Sequence, residues 1–157
     1  MYNLQHDLLD AFKATPDTLN GLLNWIDTSQ ARSATGGDEN WSVVEVICHL
    51  RDAEEFFIKR YQSMRDKDNP MIVGYNQEAL ARERNYKNAD FRTTLTSFNT
   101  FRQQTISELS KLTPEQWQRQ GQHTELGQIT IFAQGIHHVA HDAIHCAQIA
   151  RQLKAVI

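Results

Sequence analysis

Four of the chain's seven histidines fall within nine residues, as His137, His138, His141 and His145, in a stretch whose apolar spacing is helical. At 3.6 residues per turn His141 and His145 share one face, so both imidazoles can reach a single ion. A transition-metal centre normally takes at least three protein ligands, and the third candidate is His49. It stands about two turns into another helical segment, with Val46 at i−3 and Ala53 at i+4, a setting that turns it inward. Three neutral imidazoles with open coordination positions suit Zn, Ni, Co, Fe(II) or Mn. Asp52, one turn beyond His49, is placed to orient a ligand or accept a proton. The competing reading for each histidine is a packed, hydrogen-bonded side chain with no ion.

The remaining titratable groups rank below these three. His137 continues the i−4 row from His141 and reads as a fourth ligand, a pocket residue or surface; His138, three before His141, is able to replace it. His6 and His123 read as exposed, and Asp142, about 100° around the helix from His141, as solvated. Cys48 points about 100° away from His49 and reads as core. Arg51, Arg60, Arg82 and Arg84 are available to hold an anionic cofactor, although helix-surface arginines are ordinarily solvated. Other catalytic templates are missing: G-x-S-x-G, P-loop, G-x-G-x-x-G, C-x-x-C and H-E-x-x-H do not occur.

The elements that must position such a site are helices. Apolar residues from Leu8 to Ile26 predict a first helix over 4–27, with Pro16 as a kink or break. A Ser/Thr/Gly-rich loop over 28–40 follows. Ser42 and Glu45 form a capping box, with Trp41 and Val46 placed as a hydrophobic staple, and start a second helix that runs to about 65. Asn69-Pro70 and Gly74 break the pattern, leaving room for one short extra helix over 77–84 in the second connection. A third helix is expected over 90–112, then a turn capped by Thr113 with Pro114 at its first position, a loop over 121–128, and a fourth helix over 130–154. The fold class is therefore all-α, an antiparallel four-helix bundle able to house a site in its core.

The 157 residues suit one domain spanning 1–157, and 40% hydrophobic residues can fill one core. A formal charge of −3 without blocks of like charge argues against nucleic acid as partner. No run approaches the ~18 apolar residues of a membrane span, and the first residues lack a secretion signal, so a cytoplasmic location is expected. Two cysteines, Cys48 and Cys146, are too few for a disulfide framework and are expected to be reduced.

Two segments together resemble the DinB-like (YfiT-like) superfamily of small metal-binding bundles. Residues 41–54, W-S-V-V-E-V-I-C-H-L-R-D-A-E, are similar to its W-s-x-x-e-v-x-x-H-l-x-d-x-e segment, and residues 141–149, H-D-A-I-H-C-A-Q-I, to its H-[DE]-x-x-H-x-x-Q-I segment. Carried over position by position, the resemblance implies His49, His141 and His145 as metal ligands, with Gln148 at a recurrent position of undefined role. It further implies an up-down-down-up bundle, frequent homodimers and a divalent metal, commonly Zn or Ni. Thiol S-transferases using bacillithiol or related low-molecular-weight thiols and a mycothiol-dependent isomerase share the family with many members that are only called metal-dependent hydrolases. DNA binding is not implied.

Two functions are then in play. In one, a metal-dependent enzyme, either a thiol S-transferase or a hydrolase, acts on a small-molecule substrate. In the other, the ion or histidine cluster is structural, or serves partner binding by a non-catalytic bundle. The enzyme is favoured because structural sites usually close with a fourth protein ligand, and none is evident.

Overall fold

The computed structural model describes residues 3–37 and 40–155. Four long helices, α1 (Leu4–Leu23), α3 (Val43–Asp66), α5 (Phe91–Leu109) and α7 (Ile131–Leu153), form an all-α bundle, with the short helices α2 (Thr28–Ser33), α4 (Gln77–Glu83) and α6 (Pro114–Trp117) in the connections. Contacts along the helices give their directions. Cys48 meets Thr94 and Glu54 meets Thr105, so α3 and α5 run parallel. Thr15 meets Asp142 and Leu8 abuts Gly135, so α1 and α7 are parallel too. Early α3 packs with Ile149 and late α3 with Ile131, which makes α3 and α7 antiparallel. The order is up-down-down-up, and it brings the second and fourth long helices side by side.

The caps explain where the helices start. Ser42 and Glu45 complete the expected box, and both Trp41 and Val46 lie in one apolar cluster. Thr113 and Gln116 form another box, and Thr130 caps α7. The first helix ends at Leu23, earlier than 27, because Asp27 caps α2 in what reads as loop; Asp38 and Glu39 of that stretch lie outside the described residues. Leu109 ends α5, three residues short of the expected 112. α1 continues through Pro16 without a break. Having no N–H, Pro16 leaves the Phe12 carbonyl without its usual i+4 donor, and buried Arg102 supplies one at 3.3 Å.

Short strands are the main departure from the sequence reading. β1 (Thr35–Gly36) pairs with β2 (Trp41–Ser42), while β3 (Met71–Ile72), β4 (Gln120–His123) and β5 (Gly127–Thr130) form a small mixed sheet. Two to four residues are too few to display the period-2 alternation by which a strand is recognised. Gly121 admits the sheet to the bundle: a Cβ there would lie 3.1 Å from Met64 and Ile72 side chains and 3.2 Å from the Pro70 carbonyl. Among the described residues no helix is long and apolar enough to cross a membrane.

Candidate metal centre

His49 projects from the second turn of α3 toward His141 and His145 on α7. The Nε2 atoms of His49 and His141 are 2.8 Å apart, and one ligand atom from each of the three residues lies within 4.8 Å of the others. His49 is buried and the other two are half-buried. Burial is the main reason that the His49 imidazole is held down to about 3, with His145 adding to it and the Asp52 carboxylate opposing. His141 is lowered by the same desolvation and by its histidine neighbours. His49 and His141 therefore present neutral rings at pH 7, the form a metal requires.

The surroundings fit a cation. Two neutral imidazoles facing each other through Nε2 can share only one proton, whereas an ion can accept both lone pairs. Gln148 fixes the third ring: its Nε2 donates to the Gly36 carbonyl at 3.3 Å, which turns its Oε1 to receive the His145 Nδ1 proton at 2.8 Å. Holding the proton on Nδ1 leaves Nε2 of His145 to bind. The Nδ1 atoms of His49 and His141 are buried without a protein partner, so no comparable brace sets those two rings.

Asp52 has another task than the one its spacing suggests. It receives hydrogen bonds from Tyr86 Oη at 2.5 Å and Arg51 Nε at 2.7 Å, and Arg84 Nη1 lies 2.9 Å away. The carboxylate ties the second connection to α3 and reaches His49 only through its field. This also commits Arg51 and Arg84, and Arg82 lies 3.8 Å from Glu78. Of the four arginines considered from sequence, only Arg60 turns to the site.

Asp142 and His138 are buried, contrary to the solvated reading of Asp142. With Glu54 they form a second group of potential ligands within 4.8 Å. Its cation position is taken by the Arg102 guanidinium, which bonds Glu54 through Nε at 2.7 Å and through Nη2, and Asp142 through Nη1 at 2.7 Å. Thr105 and Thr15 donate to the two carboxylates. The Glu54 carboxylate accepts from His138 Nε2 at 2.9 Å, and the Tyr61 hydroxyl lies 3.2 Å from His138 Nδ1. Burial pushes Glu54 up, but His138 and Arg102 outweigh it and hold the carboxyl down to about 2.

His123 also differs from its reading as an exposed loop residue. It is buried on β4, and its Nδ1 accepts from the backbone N–H of Glu125 at 3.1 Å and of Leu126 at 3.3 Å. The hairpin thereby fixes the ring proton on Nε2. His123 lines a cavity of about 200 Å³ together with His49, His141, His137, Arg60, Phe57, Tyr75, Gln77, Gly74, Glu125 and Leu126. His137 is thus a pocket residue, outside the three-histidine group. A more spacious concavity of about 570 Å³, bounded by Trp41, Arg82, Tyr86 and Lys87, contains no histidine.

A pH dependence follows for metal-free protein. The unfolded chain protonates His49 near the usual ~6.5 while the folded ring resists to about 3, so the unfolded state binds more protons between those values. Stability then falls as pH falls, by about 2 kcal/mol from pH 7 to 5 for His49 alone. Urea unfolding of chelator-treated protein at the two pH values measures it; equal stability would mean that the ring is not desolvated.

The DinB superfamily profile matches residues 11–149. Among solved structures, the chain is similar to YfiT from Bacillus subtilis, whose description is a probable metal-dependent hydrolase with an unusual four-helix bundle topology. The TM-score is 0.87 at 22% sequence identity, with 99% of this chain and 90% of that chain covered. A comparison with curated proteins returned no match.

Proposed function

The chain belongs to the DinB superfamily, and we propose that it is a metal-dependent enzyme whose ion is held by His49, His141 and His145. The observation that carries this reading is the convergence of three imidazoles, two of which, His49 and His141, line a cavity, with no fourth ligand in their group among the described residues. A structural ion usually has four protein ligands, whereas a catalytic one keeps a position open. Bound there, a divalent ion supplies a Lewis acid that makes a nucleophile of water or a thiol near neutral pH. Zn or Ni is our first choice, with Fe, Co and Mn compatible with the same donors.

The protein's own groups define the rest. Burial at the base of the cavity excludes bulk water from the His49 side, Gln148 orients His145, and the cavity faces solvent past His137 and Leu126. A structural role for the ion is less suited to this bundle, because Arg102 already ties α5 to Glu54 of α3, Asp142 of α7 and the Phe12 carbonyl of α1. The description of YfiT as a probable metal-dependent hydrolase favours hydrolysis; thiol S-transfer uses the same open position and is the alternative chemistry. We place the protein in the cytoplasm, a location in keeping with its two free cysteines.

The test is elemental analysis of tag-free protein, followed by assays of ester and amide hydrolysis and of low-molecular-weight thiol transfer on loaded and chelator-treated samples. About one equivalent of metal, with turnover that disappears on chelation and returns on reloading, is expected. Undiminished turnover without metal would overturn the reading.

Homodimerisation is proposed as well. The outward face of α7 presents Ala133, Ile136, Ala140, Ala143, Ile144 and Ala147, with Ile136 51% and Ile144 63% exposed and no charged side chain among its exposed positions from 133 to 147. An apolar stripe outside a helix whose inner face is polar suits burial against a second copy. Light scattering should give twice the chain mass, and Ile144→Lys should give the chain mass; a native monomer at high micromolar concentration would exclude the dimer.

A further inference from the structure

We propose that Arg60 and His123 form a carboxylate-binding subsite beside the three histidines, so that the substrate is a small organic acid or a compound with a carboxylate near its reacting group. The inference rests on the enzymatic reading above and adds to it the charge of the substrate. Arg60 spends one donor on the Val73 carbonyl at 3.2 Å and lies with its carbon 5.4 Å from the Phe57 ring centroid. Among the described residues no ion pair is formed by Arg60, although it lines the same cavity as His49 and His141. A guanidinium carries five N–H donors, and a half-buried one with most of them unspent is a ready partner for an oxyanion. His123 contributes a second donor. Two backbone N–H groups occupy its Nδ1, which leaves an Nε2–H on a ring buried in the cavity wall.

Size and charge narrow the ligand. About 200 Å³ corresponds to roughly six or seven water molecules, enough for a carboxylate and a few carbons, with any larger portion outside. Glu125 is the one acid among the lining residues and stands exposed on the hairpin tip, its Oε1 closely fitted against Gly74. Its negative charge opposes a dianionic phosphoryl group more than a monoanionic carboxylate.

The probes are propionate and methylphosphonate, titrated separately into Zn-loaded protein at pH 8 and followed by shifts of histidine ring resonances in NMR. Propionate is expected to bind more tightly than methylphosphonate, Arg60→Gln to weaken it at least tenfold with metal content unchanged, and Arg60→Lys to recover part of the loss. No saturable propionate binding, preference for the phosphonate, or equal affinity in folded Arg60→Gln would overturn the proposal. Elemental analysis of the same samples keeps the two readings apart. Protein that binds propionate through Arg60 but takes up no metal supports the subsite and removes the enzymatic reading, whereas loaded protein indifferent to propionate removes the subsite alone.

Discussion

Arg102→Met is expected to lower the melting temperature by roughly 10 °C or more, the largest stability loss of any single substitution considered. The guanidinium is fully buried and faces two buried carboxylates, Glu54 and Asp142, so its removal strips Asp142 of its cationic partner and leaves Glu54 with the His138 ring alone. Breaking a buried ion pair from one side typically costs about 3–5 kcal/mol. In a chain of this length each kcal/mol moves the midpoint by about 2–4 °C. The Phe12 carbonyl, already deprived of its helical donor by Pro16, loses its substitute as well. Loss of apolar packing is a minor part, because methionine retains much of the arginine stem.

The pH dependence separates lost pairing from generic misfolding. In the native protein Glu54 is depressed to about 2 from an ordinary 4.5, so its contribution is present above the ordinary value and disappears as pH falls through about 2. Without Arg102 the buried carboxylates favour the protonated form, and the variant should recover stability relative to native as pH falls from 7 to 5. Adding Glu54→Gln and Asp142→Asn to Arg102→Met should restore part of the loss at pH 7, since neutral buried amides cost less than unpaired charges. Thermal scans at pH 7 and 5 on the three proteins measure both effects. A loss below 1 kcal/mol, or one independent of pH, would mean that the cluster is screened by solvent.

This cluster shows why part of the site escapes a reading of the sequence. Helix period, caps and the Trp41–Glu54 segment were enough for the all-α bundle and for the three histidines as a set, because those signals are local or carried by spacing. Arg102 has the register of a core residue: Phe91, Leu95, Phe98, Arg102, Thr105 and Leu109 form the buried stripe of α5. Charge argues for solvent and position argues for the core, and only the arrival of Glu54 from α3 and Asp142 from α7 decides between them. On α7 the pairs His138/Asp142 and His141/His145 fall within about 100° of arc, so one face serves both clusters. Which pair meets His49 and which meets Arg102 depends on the up-down-down-up order, a property of the whole chain. His123 gives no such signal, because its strand is four residues long and its partners are backbone N–H groups of a hairpin with no alternating pattern.

His49→Ala and His141→Ala are each expected to reduce metal content from about one equivalent to near zero at micromolar metal, with any metal-dependent turnover lost. The reason is geometric: His49 is the sole member of the group on α3, so its removal leaves a two-ligand site on one helix turn. His141 faces His49 at 2.8 Å, so its removal leaves His145 and His49 as the only pair. Gln148→Leu should be milder, weakening affinity about 10- to 100-fold as outer-shell changes do, because it frees His145 from the Gly36 anchor while keeping all three ligands. The variants should remain folded, since the Arg102 cluster is untouched and the metal-free His49→Ala chain no longer buries that imidazole. The latter should therefore lose less stability than native metal-free protein between pH 7 and 5. Competition titrations with a chromogenic chelator, paired with unfolding curves, measure both effects. Full metal retention in folded His49→Ala would place the ion elsewhere and return His49 to the packed, hydrogen-bonded role that a lone inward histidine ordinarily plays.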